Sequence, residues 1–362
     1  MMADGSSGFA FTAEVESATA SVWEKVRGQV TPLEWRLHAP LIAEINRLKR
    51  DRNAVILAHN YMTPDIFHGV GDFVGDSLGL AREAARSKAS VIVQAGVHFM
   101  AETSKVLCPE KRVLIPDLRA GCSLAASITA HDVRLIKRRF PGLPVVTYVN
   151  TTAAVKAETD ICCTSANAVQ VVEAVAREWG VDRVILLPDE FLARNVARQT
   201  DIGIVAWQGR CEVHERFTVD DIAELRESWP GAHILAHPEC PTGVVEAADF
   251  AGSTAAMSDY VTKRKPRQVI LITECSMADN VACDAPATEF VRPCNLCPHM
   301  KRISLEAIHE ALLHDRYEVT IDPAVAVRAR AAVQRMIDLP PPAVPARYDM
   351  VKARHHVDVE LI

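Results

Sequence analysis

The chain has 362 residues, 49% of them hydrophobic and 24% charged, and a formal net charge of -6. That is apolar material for two or three small cores, while the acidic balance excludes a protein that grips phosphate backbones through a basic face. No apolar run approaches the roughly 18 residues that cross a bilayer, and residues 1–12 lack the basic start and apolar centre of a secretory leader. A cytoplasmic protein with neither membrane nor nucleic-acid partners is expected, its 10 cysteines mostly thiols, so that specially spaced ones read as metal ligands or redox groups.

Residues 1–39, with Trp23 and Trp35, read as a helical lead-in. In residues 40–122 an apolar run (54–59) ends on His59, a helical stretch covers 77–87, and further runs at 90–94 and 112–116 precede Cys122. Residues 123–211 repeat the plan: a run ending on Tyr148, a helix over 166–179, runs at 183–187 and 202–207, then Cys211. Residues 212–338 do so again, with a run ending on His237, a run at 268–273, a weaker one at 289–291, Cys297, and a helix over 304–313. Leu339-Pro340-Pro341-Pro342 then breaks the chain, leaving residues 339–362, with His355-His356, as a peripheral tail. Short apolar runs alternating with amphipathic helices signal β-α-β units and parallel sheets, and continuously apolar strands are covered on both faces. The expected fold is α/β: three similar three-layer αβα domains with parallel sheets about a pseudo-threefold axis.

The repeat is in register at several places. His59, Tyr148 and His237 are 89 residues apart at each step, and the cysteines are 89 and 86 apart. An Asp followed five residues later by a hydroxyl recurs as Asp72 to Ser77, Asp160 to Ser165 and Asp249 to Thr254. Several such matches together argue for triplication. In parallel α/β units functional side chains gather beyond the carboxyl ends of strands, so the tips His59-Asn60-Tyr61, Tyr148-Val149-Asn150 and His237-Pro238-Glu239 aim at one central cavity. The hydroxyls fall at helix starts, where free N–H groups favour anions; taken singly each reads better as a helix cap, and it is the threefold recurrence beside the tips that favours anion sites.

One thiolate per unit makes a three-cysteine metal site, and such ligands suit zinc or an iron-sulfur cluster. A cubane cluster with three protein ligands leaves one iron free to act as a Lewis acid. Three buried free thiols are the bland alternative, which the spacing disfavours.

The strings Ala58-His59-Asn60-Tyr61, Asp72-Phe73-Val74-Gly75-Asp76-Ser77-Leu78-Gly79-Leu80-Ala81, Gly96-Val97-His98-Phe99-Met100-Ala101-Glu102-Thr103, Ala120-Gly121-Cys122-Ser123-Leu124-Ala125, Thr164-Ser165-Ala166-Asn167-Ala168 and His237-Pro238-Glu239-Cys240 together resemble the quinolinate synthase family, over about residues 40–320. The resemblance implies a 4Fe-4S cluster on Cys122, Cys211 and Cys297. It also implies the joining of iminoaspartate to dihydroxyacetone phosphate to give quinolinate, and coupling to an L-aspartate oxidising enzyme. It makes Glu239 the acid/base group, with a pKa expected to rise in a dry cavity, and gives His59 and Tyr61 the enolisation of the triose part. Tyr148 and Asn150 would hold a carboxylate, Ser77, Ser165 and Thr254 would hold anionic groups, and His214 and His237 would face the cavity. One departure stands out: Val291 occupies the first position of a C-x2-C-x2-C run found in part of the family, leaving Cys294 as a bystander or as the partner of Cys297 in a reversible disulfide. Another iron-sulfur hydro-lyase and a non-catalytic iron-sulfur sensor remain as alternatives.

Overall fold

A computed structural model describes residues 9–340, 348 and 359–362; the His355-His356 pair lies outside them. Helix α1 (Ala13–Val26) starts on Thr12, whose hydroxyl accepts from the Val15 N–H. Helix α2 (Pro32–Asp51) starts on a capping box between Thr31 and Glu34, with proline at its first position. The Trp23 and Trp35 rings meet at 5.4 Å between the two helices. Helix α2 runs through residues 39–40, where the sequence reading began the first domain, and packs on the first strand. An unbroken amphipathic helix carries no mark of that boundary.

The first unit continues with β1 (Ala54–His59), α3 (Pro64–Phe67), β2 (Phe73–Gly75), α4 (Ser77–Arg86), β3 (Val91–Ala95), α5 (His98–Leu107) and β4 (Arg112–Leu114), in a parallel sheet of order β2-β1-β3-β4. A short α6 (Ser123–Ser127) leads to the second unit: α7 (Ala130–Arg139), β5 (Val145–Tyr148), α8 (Ala153–Lys156), β6 (Ile161–Cys163), α9 (Ala168–Trp179), β7 (Arg183–Leu187), α10 (Glu190–Ala197) and β8 (Gly203–Ala206). The third holds α11 (Val219–Ser228), β9 (His233–Ala236), α12 (Thr242–Ala247), β10 (Phe250–Ala251), α13 (Thr254–Arg264), β11 (Gln268–Ile272), α14 (Ser276–Asp284) and β12 (Glu289–Val291). Its sheet order, β10-β9-β11-β12, and the β6-β5-β7-β8 order of the second repeat the first, so the expected α/β fold of three parallel-sheet units is the observed one.

The recurring Asp has a structural job. Asp72, Asp160 and Asp249 each accept the N–H of Ile56, Val145 and Ile234 at 2.8 Å, tying the second strand of each sheet to the first. Each also pairs with a cation near the end of the helix that leads into the first strand of its sheet, Lys49 at 2.8 Å, Lys137 at 3.3 Å and Arg226 at 3.0 Å. Between this Asp and its hydroxyl lie the short strands β2, β6 and β10, which the sequence reading left unassigned; two or three residues are too few to show a period.

The C-terminal part is more integrated than a tail. Helix α15 (Leu305–His314) packs on α2 and β3 of the first unit, and α16 (Pro323–Asp338) on α8 and β6 of the second, although both lie inside the stretch expected to form the third domain. Residues 317–319 run beside β4, with the Ile115 N–H donating to the Tyr317 carbonyl at 2.9 Å. Strand β13 (Val359–Leu361) adds in parallel to β8. Both segments cover sheet edges that would otherwise stay unpaired.

Candidate active site

In each sheet the strand order reverses between the first and third strands, and the crevice at the carboxyl ends of those strands is where doubly wound folds bind ligands. Here the three crevices meet in one cavity, partly open to solvent. The residues given a site role from the sequence line it: His59, Tyr61, Tyr148, Asn150, His237 and Glu239 of the tips, the hydroxyls Ser77, Ser165 and Thr254, the thiols Cys122, Cys211 and Cys297, and His214; the middle tip residues Asn60, Val149 and Pro238 do not. None of the described lining residues is Lys or Arg.

Two tips fix their imidazoles in the same way. The His59 Nδ1 accepts from the Tyr61 N–H at 3.2 Å and the His237 Nδ1 from the Glu239 N–H at 3.3 Å, which puts the proton of each neutral ring on Nε2. Burial pushes His59 down to about 4 and His237 to about 3, so both are neutral donors near pH 7.

Glu239 is only 3% exposed. Burial alone pushes its carboxyl up, but the neighbouring His237 and His214, with hydrogen bonds from His214 and Tyr148, outweigh it and hold the group down at about 2. The expected upward shift is therefore reversed, because the cavity is dry but rich in donors: His214 Nδ1 lies 2.7 Å from the carboxylate and Asn150 Nδ2 donates at 3.4 Å. With Nδ1 donating, His214 Nε2 accepts from the Thr273 hydroxyl at 2.9 Å, which accepts from the Tyr61 hydroxyl at 2.7 Å. Tyr61, Thr273, His214 and Glu239 thus form one buried hydrogen-bond chain. Burial, and then the Glu239 charge, push the Tyr61 and Tyr148 phenols well above their usual range.

The hydroxyls are not spent on capping. Asp76 caps α4, accepting from the Gly79 N–H at 2.8 Å, and Ser253 caps α13, accepting from the Ala256 N–H at 3.3 Å. This leaves Ser77 and Thr254 at the first helical positions, the latter accepting from Asn60 Nδ2 at 2.8 Å. Ser165 lies in the turn before α9, 3.4 Å from His237 Nε2.

Each cysteine opens a tight turn that aims backbone N–H groups at its sulfur: those of Leu124 and Ala125 at Cys122, of Val213 and His214 at Cys211, and of His299 and Met300 at Cys297. Burial still pushes all three thiols up, Cys122 to about 12. The loops are bonded to one another. The Ser123 hydroxyl donates to the Arg210 carbonyl and accepts from the Glu212 N–H, both at 3.1 Å, and His299 Nε2 meets the Glu212 carboxylate at 3.0 Å. Three half-buried sulfurs from three locked loops, each facing backbone donors that favour a thiolate, fit a soft metal centre. Cys211, His214 and Glu239 also bring one ligand atom each within 4.8 Å of one another.

Other thiols depart from expectation. Cys294 is disulfide-bonded to Cys275, with Cα atoms 5.0 Å apart, rather than to Cys297. Cys240, although next to Glu239, is fully buried with its sulfur directed at the Ile272 carbonyl. Sequence reading also missed Thr273, taken only as a strand end, and Tyr348, placed in the tail. Tyr348 is buried and its hydroxyl donates to the Ser165 carbonyl at 3.0 Å; it has no counterpart in the repeat that could have marked it.

Three α/β units enclosing a hydrogen-bonded carboxylate, two neutral imidazoles and three thiols in one cavity define a site of the enzyme type. A profile described as quinolinate synthetase A protein matches residues 43–338. The chain is 76% identical to the quinolinate synthase of Caulobacter vibrioides strain NA1000 over 352 residues, 97% of this chain and 96% of that one. It is 62% identical to quinolinate synthase 2 of Mesorhizobium japonicum, covering 89% of this chain and 98% of that one, and 61% identical to the quinolinate synthase of Agrobacterium fabrum, covering 91% and 94%. The chain belongs to the quinolinate synthetase A family.

Proposed function

We propose that this protein condenses iminoaspartate with dihydroxyacetone phosphate to quinolinate, with loss of phosphate and water, in the biosynthesis of NAD. The observation that carries the reading is the convergence of tips, hydroxyls and thiols from all three units on one cavity, in a chain of this family. Cys122, Cys211 and Cys297 would hold a 4Fe-4S cluster, which when bound supplies a Lewis-acidic iron able to take up a substrate hydroxyl or carboxylate.

The protein groups divide the remaining work. Glu239, held ionised, is the base that takes a carbon-bound proton, and the His214-Thr273-Tyr61 chain behind it stabilises its charge. The Nε2–H of His59 donates to the triose carbonyl oxygen as its enol forms, with the Tyr61 ring set edge-on against the imidazole at 4.6 Å to aim it, and the Nε2–H of His237 donates to a substrate oxygen. Tyr148 and Asn150 hold a carboxylate. Ser77, Ser165 and Thr254 add neutral donors for the remaining anionic groups. With no Lys or Arg in the described lining, these neutral donors carry the binding of the substrate's negative charge.

The same reading has the protein working in the cytoplasm, supplied by an enzyme that oxidises L-aspartate. Among the described residues no helix is long and apolar enough to cross a membrane. We take the three units as domains, with boundaries moved to the capped helix starts at Thr31, Thr129 and Thr218. The test is anaerobic purification, iron and sulfide analysis, an absorption spectrum, and an assay for quinolinate from the two substrates. Iron-sulfur absorption with product is expected; a colourless zinc protein without product refutes the reading.

A further inference from the structure

The functional side chain at each tip sits between two backbone carbonyls held by a single buried donor. Tyr61 lies between Asn60 and Met62, whose carbonyls both accept from the Asn280 amide, at 3.0 and 2.7 Å. Glu239 lies between Pro238 and Cys240, whose carbonyls both accept from the Asn195 amide, at 2.8 and 3.0 Å. Asn150 lies between Val149 and Thr151, whose carbonyls both accept from the Lys156 ammonium, at 2.7 Å for Val149. All three donors are buried, Asn195 and Lys156 completely.

The donors follow the repeat. Asn280, on α14 of the third unit, reaches the tip of the first, and Asn195, on α10 of the second, reaches the tip of the third. The matching helix of the first unit is α5, and its Glu102, near the same position along the helix, accepts from the Ala153 N–H of the second unit at 2.9 Å. A carboxylate has no hydrogen to give a carbonyl, so the second unit supplies the donor itself through Lys156. A fully buried ammonium that faces carbonyls and the Phe99 ring, 5.5 Å away, costs far more desolvation than an apolar side chain of equal size. Its presence is accounted for by the carbonyls it holds.

We infer that Asn195, Asn280 and Lys156 are positioning residues that clamp the three tips. Two of the three act from a neighbouring unit, so these tips are aimed only when the units are docked. The inference rests on the proposed function for what the tips do, though not for the clamp itself.

The test uses the full-length, cluster-loaded protein. Lys156→Met fills the space without a donor, whereas Lys156→Gln restores a neutral amide, the donor used at the other two tips. Because Tyr148 and Asn150 are assigned to a substrate carboxylate, Lys156→Met is expected to raise KM about tenfold or more with a smaller fall in kcat, and Lys156→Gln to stay within about threefold of wild type. A merely weakened fold lowers the active fraction and leaves KM alone. An unmoved KM in Lys156→Met, or an equal rise in Lys156→Gln, overturns the clamp. If Lys156→Met does not fold, Asn195→Ala decides: kcat per cluster lower by about tenfold at unchanged KM supports the clamp, and kcat within about twofold of wild type overturns it. If the wild type makes no quinolinate, the functional reading fails, and crystal structures of wild type and Asn195→Ala judge the clamp alone. Glu239 displaced by about 1 Å or more supports it; Glu239 unmoved overturns it.

Discussion

Lowering the pH from 7 to 5 should destabilise this protein through its buried imidazoles, and His59 gives the cleanest measure. Its pKa is about 4 in the folded chain against an ordinary 6.5, because burial disfavours the charged ring. The unfolded chain therefore takes up a proton that the folded chain refuses, and the stability His59 contributes is fully present above about pH 6.5 and is lost as the pH falls toward about 4. At pH 5 the unfolded ring is about 1.5 units below its pKa, which at about 1.4 kcal/mol per unit is a loss of about 2 kcal/mol. His237, at about 3, acts in the same direction over this range. Urea unfolding of anaerobic protein at pH 7 and pH 5 reads the effect, with His59→Gln as the non-titrating control. The wild type should lose about 2 kcal/mol more than the variant between the two pH values. Equal losses would show that the His59 ring takes up its proton as readily in the folded chain as in the unfolded one, and the lowering of its pKa by burial would be refuted.

Cys122→Ala, Cys211→Ala and Cys297→Ala should each lose iron and visible absorption on anaerobic purification, while Cys294→Ala, whose sulfur is bonded to Cys275, keeps both. Loss of the cluster in Cys294→Ala alone would reverse the ligand assignment. Glu239→Gln keeps the hydrogen-bonding shape of the side chain but cannot accept a carbon-bound proton, so kcat should fall by about 10²–10⁴-fold with circular dichroism unchanged. Asp160→Asn weakens the bonds to the Val145 N–H and Lys137 and should cost about 2 kcal/mol in urea unfolding; a change below about 0.5 kcal/mol would remove the strand-tying role.

The three-unit plan was legible because it is written in features with a period: apolar runs of four to six residues ending on His59, Tyr148 and His237, and a cysteine after the last strand of each unit. What escaped was either too short or too distant in sequence. Strands β2, β6 and β10 show no alternation in two or three residues, although the Asp before each is the residue that ties it down. Tyr348 and Cys275 meet partners set by tertiary packing, which no local pattern encodes. The Glu239 shift was misjudged because burial is visible from composition, whereas the donors that overrule it come from His214 and Tyr148 on other loops. No repeat or motif marks Asn195 and Asn280 in the sequence, and only their contacts across unit boundaries set them apart.

The most direct test of the account is a mass measurement. Purified, cluster-loaded protein is given iminoaspartate, generated in place, and dihydroxyacetone phosphate labelled with ¹³C at every carbon. The account predicts quinolinate that carries all the triose carbons, with phosphate released in equal amount. Labelled triose recovered unchanged beside an intact cluster would contradict it.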